Sequence, residues 1–114
     1  MHTITVVNIR TFQGPAQYIG RPMPGHKGSP LGNPYKIKPW GPYERDESVL
    51  LHYRAWLWKE MQKRSGEVYR DLIRLALIAK TAPLNLACWC APETCHGKII
   101  KSAITYLIQK GAAA

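Results

Sequence analysis

Acidic side chains are scarce in this sequence: seven Asp and Glu stand against sixteen Lys and Arg, a formal charge of +9. Such a summed field attracts polyanions and speeds their encounter, so nucleotides and nucleic acid lead the candidate partners; a basic surface serving solubility alone is the alternative. Long apolar runs are also missing, and no stretch approaches the ~20 residues that cross a bilayer. The basic residues are interspersed among core positions instead of clustering beside an apolar anchor, which argues against a membrane surface. Met1 to Arg10 is too polar for a signal peptide, and the expected location is therefore cytoplasmic. Cysteine is limited to Cys88, Cys90 and Cys95, a grouping unlike the dispersed, even framework of a disulfide-stapled domain. Neither a Walker P-loop nor a strand-linked G-x-G-x-x-G occurs, and there is no internal repeat.

What is present suits one ordinary core. A chain of 114 residues with 46% apolar content is long enough for a single domain, taken as 1–111, with Ala112 to Ala114 set apart as a tail. Thr3 to Arg10 alternates Ile4 and Val6 with Thr5 and Val7 and predicts a strand; Gln17 to Gly20 predicts a shorter one. Gly20 to Pro34 carries four glycines and four prolines, which excludes both helix and central strand. Loops of this length are functional or mobile, or merely wrap a sheet edge.

Helical spacing follows. Leu50, Tyr53, Leu57 and Met61 predict a helix over 46–63, and Val68, Leu72, Leu75 and Ala79 predict another over 67–80. Leu84 to Cys90, apolar and bounded by Pro83 and Pro92, reads as a buried central strand. Thr94 is the expected cap of a last helix running to Lys110, with Ile100, Ile104, Leu107 and Ile108 facing the core. The order predicts an α/β fold: a small mixed or parallel sheet of three to four strands covered by three helices.

The segment Leu84 to Gly97 concentrates the reactive side chains. Strand alternation puts Cys88 and Cys90 on one side and sends Trp89 the other way, into packing. Cys95 and His96 fall in the expected first turn of the last helix, where bare amides and the dipole stabilise a thiolate and attract anions. In one chemistry Cys95 is a nucleophile or ligand-contacting thiol with His96 beside it, and Gly97 lets a ligand approach the backbone. Lys98 opposes the dipole unless an anion lies between it and the amides; otherwise it swings into water. In the other chemistry Cys88, Cys90, Cys95 and His96 form a Cys3His zinc site, although C-x-C is tighter than the usual zinc spacing. Cys88 taken alone is better read as a small buried apolar residue. Arg21, His26, Lys27 and Asn33 lie on the Gly/Pro loop, whose free amides offer a second cradle for phosphate. Trp56 has core spacing, whereas Trp40 and Trp58 are the expected exposed tryptophans.

Tyr18-Ile19-Gly20-Arg21-Pro22, Leu31-Gly32-Asn33-Pro34-Tyr35, Tyr53-Arg54-Ala55-Trp56-Leu57, Cys88-Trp89-Cys90-Ala91-Pro92 and Cys95-His96-Gly97 together resemble one bacterial and phage family, domain of unknown function 4326. The resemblance spans nearly the whole chain and names no reaction. It implies that the two signature loops form one site, with Gly20, Arg21, Asn33, Cys90, Cys95 and His96 at characteristic positions. Relatives often carry an acidic residue where this chain has Lys98.

These readings converge on a nucleotide- or nucleic-acid-directed domain, hydrolase or transferase chemistry being the enzymatic version. Cys95 and His96 would act on the substrate, while Gly20, Arg21, Gly32, Asn33, Cys90, Gly97 and Lys98 would hold its anionic part. The competing reading is a non-enzymatic basic nucleic-acid-binding module with structural zinc.

Overall fold

The computed structural model describes residues 2–36, 38–39, 41–44, 47–89 and 96–112. Among them the chain forms strand β1 (Ile4–Asn8), strand β2 (Gln17–Tyr18), helices α1 (Glu47–Met61) and α2 (Glu67–Thr81), strand β3 (Leu84–Cys88) and helix α3 (Gly97–Gln109). The expected α/β architecture is present, with three strands, all parallel, and three helices.

β3 is the central strand. It pairs with β1 from Ile4 opposite Leu84 to Asn8 opposite Cys88, and with β2 through Gln17 opposite Leu86 and Tyr18 opposite Ala87. Its apolar character follows from that position, since a central parallel strand is covered on both faces. Leu84, Leu86 and Cys88 enter the core with Ile4, where they meet Leu72, Leu75, Ala76 and Ala79 of α2 and Ile100, Ala103, Ile104 and Leu107 of α3. On the opposite face Asn85 donates from Nδ2 to the Pro15 carbonyl at 3.2 Å, tying down the connection that carries the chain from β1 over β3 to β2.

Two expectations are corrected here. The sequence sends Trp89 into packing and reads Cys88, taken alone, as a small buried apolar residue; the structure has Cys88 1% exposed in the core, whereas Trp89 is half-buried at the sheet's end. Alternation separates the two residues but does not say which face the helices cover. The last helix starts at Gly97, with His96 as its N-cap, two residues later than expected; Thr94 lies outside the described residues. The His96 carbonyl accepts from the Ile99 and Ile100 amides at 3.0 and 3.1 Å, and its ring is drawn inward to the core.

Because all three strands are parallel, Asn8, Tyr18 and Cys88 end at the same edge of the sheet. Ligands of open parallel α/β sheets bind in the crevice outside that carboxyl edge.

Candidate functional site

The Gly/Pro loop and the start of α3 meet at this edge. The Ile19 amide donates to the Ala87 carbonyl at 3.0 Å, continuing the β2 pairing, and the Ile19 carbonyl receives His96 Nε2 at 2.8 Å. Since a carbonyl only accepts, Nε2 carries the proton and Nδ1 is the acceptor nitrogen of a neutral ring. Tyr53 stands edge-on to the same imidazole at 5.1 Å, and its hydroxyl donates to the Leu31 carbonyl at 2.6 Å. Burial holds the His96 pKa below its ordinary value; the hydrogen bond to Ile19 opposes this, and the positive charge of Arg21 adds to it. His96 is only 7% exposed. It therefore fastens the helix to the loop.

Arg21 Nη1 is buried and has no hydrogen-bond partner among the described residues. Its backbone, by contrast, is well fixed. Tyr18 donates from its hydroxyl to the Arg21 carbonyl at 2.6 Å, and Trp89 Nε1 donates to that same hydroxyl at 2.8 Å. Gly20 makes this possible, because a Cβ there would lie 2.6 Å from Tyr18 Cζ. Gly32 packs against Gly20 so closely that a Cβ would stand 3.1 Å from the Gly20 carbonyl. Both predicted glycines thus bring loop backbone together.

A cluster of rings, with the Arg10 guanidinium, adjoins the Arg21 backbone. His26 lies 5.0 Å from the Tyr18 ring and 5.9 Å, edge-on, from Trp89, while the Arg10 guanidinium sits 5.0 Å from the Trp89 centroid. His26 is presented by the turn Met23 to His26, closed by reciprocal backbone bonds of 3.0 and 2.8 Å, with Gly25 at φ +81° in its third position. That is the arrangement a Pro-Gly pair favours in a type II turn. Asn8 completes the frame, its Nδ2 donating to the Trp89 carbonyl at 3.3 Å and its Oδ1 accepting from the Arg10 amide at 2.8 Å.

Other expected site residues are placed differently. Asn33 turns its Oδ1 onto the Tyr35 amide at 2.8 Å, shaping its own loop. The direction in which Gly97 lacks a side chain is filled by Val6, whose Cγ1 would be 2.7 Å from a Cβ, and by Ile19. The missing side chain lets α3 approach β1, not a ligand approach α3. Lys98 is exposed and lines a groove between α1 and α3 together with Arg54 and Trp58. Cys90 and Cys95 lie outside the described residues, as do Trp40 and the acidic Glu93. Of the four zinc candidates, Cys88 is in the core and His96 commits Nε2 to Ile19. Trp58 is exposed and Trp56 is packed against the core, as their spacing predicts. Arg10, Tyr18 and Trp89 were not singled out from the sequence as ligand contacts. The signal available was the convergence of parallel strand ends, with Arg10 two residues past β1, Tyr18 closing β2 and Trp89 directly after β3.

Fold and site define a small parallel α/β domain with a cationic, aromatic carboxyl edge. The chain belongs to the family described as domain of unknown function (DUF4326), whose pattern matches residues 7–106. No curated protein and no solved structure matches it.

Proposed function

We propose that the carboxyl edge binds the anionic group of a nucleotide or nucleic acid, with Arg21 as the principal contact. The observation that carries this reading is the buried, unpartnered Nη1 of Arg21. Leaving a buried donor unpaired costs about 1–3 kcal/mol, and a phosphate or carboxylate oxygen removes that penalty with a charge-assisted hydrogen bond. Trp89, Tyr18 and His26 supply ring surface beside the Arg10 cation and the Arg21 backbone, the combination that serves a base attached to a phosphate. The net charge of +9 supports the same partner class. His96 acts as a positioning residue, holding the Ile19 carbonyl next to Arg21. Cys95 remains the candidate for any covalent chemistry.

Calorimetric titration of the full chain with AMP and, separately, with a short oligothymidylate tests the proposal and distinguishes mononucleotide from strand. Arg21→Gln should weaken whichever probe binds at least tenfold, and higher salt should weaken the strand further. Equal affinity in wild type and Arg21→Gln, or no binding of either probe, refutes it. Alkylation of Cys95, slowed by the bound probe and proceeding below neutral pH, tests the reactive-thiol extension.

A further inference from the structure

A second surface stands apart from the carboxyl edge and shares none of its residues. Between α1 and α3 runs a groove of about 200 Å³ whose walls come from Leu57, Trp58 and Met61 on one side and Ile99 and Ala103 on the other. This is smaller than the ~300–1,000 Å³ of a typical ligand pocket. Arg54 and Lys98 stand at its rim. Past Trp58 and Met61 it continues into a second depression bordered by Tyr106, Arg64 and Lys110. Four cations thus line the two depressions, and no carboxylate among the described residues does. The nearby Glu60 is engaged by Lys63 at 2.6 Å.

Trp58 and Tyr106 are each 40% exposed and meet edge-to-face at 5.1 Å across the groove. Such a preformed aromatic pair beside a concavity, with an apolar floor and a charged rim, has the anatomy of an interface centre. The Lys110 ammonium lies 5.7 Å from the Tyr106 ring, so a nucleobase stacking on that face would have to displace it. Carboxylates of an acidic chain, in contrast, would pair with the rim cations while an apolar side chain entered between the helices.

We propose that the α1–α3 groove docks an acidic peptide segment of a partner protein, which inserts one large apolar side chain between Arg54 and Lys98. Random peptides displayed on phage can be selected against the full chain, and one enriched peptide synthesised and titrated with AMP present to occupy the carboxyl edge. Enriched sequences should place Leu, Phe or Trp among Asp and Glu. The double variant Arg54→Glu, Lys98→Glu and the blocking variant Ser102→Trp, all at exposed positions, should each lower the synthetic peptide's affinity at least tenfold. Arg21→Gln should leave it unchanged, which separates this test from that of the carboxyl edge. Enrichment of peptides without carboxylates, undiminished affinity in both groove variants, or displacement of the peptide from the groove by oligothymidylate overturns the proposal.

Discussion

Replacing Arg21 by methionine separates a ligand-binding guanidinium from a structural one. Methionine keeps much of the aliphatic stem and removes the head group, including the unpartnered Nη1. An unsatisfied buried donor costs about 1–3 kcal/mol. Arg21 as a whole is only partly buried, so the lower end applies, and the ligand-free variant should be as stable as the wild type or gain about 1 kcal/mol. For a domain of this size that gain corresponds to a rise in Tm of about 4 °C. Thermal unfolding in phosphate-free buffer gives the stability, and AMP titration of the same samples gives the binding. His96 provides an internal control observable by NMR: losing the Arg21 charge removes one cause of its lowered pKa, so the value should rise while burial still keeps it below the ordinary range. A Tm several degrees lower, with AMP affinity intact, would show that the guanidinium supports the fold and that the reasoning about its unpaired nitrogen is wrong.

Further consequences are open to direct measurement. Because the folded-state pKa of His96 lies below the unfolded value of 6.5, the unfolded chain binds more protons between the two, and stability should fall as pH drops below 6.5. Above that value the contribution is complete, and His96→Phe should abolish the slope in denaturant titrations across this window. Gly97→Ala should destabilise by about 1–3 kcal/mol despite alanine's better helix propensity, because its methyl meets Val6; adding Val6→Ala should recover part of the loss in the same denaturant assay. Tyr53→Phe strands the Leu31 carbonyl and should cost about 1–3 kcal/mol, read from the shift in the urea midpoint. Cys88, sealed in the core, should resist iodoacetamide until the protein unfolds, as mass spectrometry of the alkylated peptides would reveal.

Much of the fold was legible from local pattern. The helical spacing of Leu50, Tyr53, Leu57 and Met61, and of Val68, Leu72, Leu75 and Ala79, placed α1 and α2 to within a few residues. The mostly apolar run from Leu84 marked β3 as central, and the Gly/Pro content of 20–34 marked a loop. The candidate site was legible in part: Arg21 lies at the carboxyl edge, and the loop and the start of α3 do meet, through Ile19 and His96. Asn33 and Gly97 were expected to hold an anion and His96 to act on the substrate; in the structure Asn33 accepts a hydrogen bond within its own loop, Gly97 admits Val6, and His96 Nε2 meets the Ile19 carbonyl.

Periodicity and composition determined where helices and strands form, because burying one face of an element is a demand each segment makes on its own residues. Which face of β3 would meet the helices, and hence that Cys88 goes inside while Trp89 joins Tyr18 and His26, depended on how the segments pack together. The same holds for Lys98, which faces Arg54 and Trp58 of a helix some forty residues earlier in the chain, and for the unpartnered nitrogen of Arg21. Such juxtapositions arise from contacts between residues remote in sequence, so no local pattern encodes them.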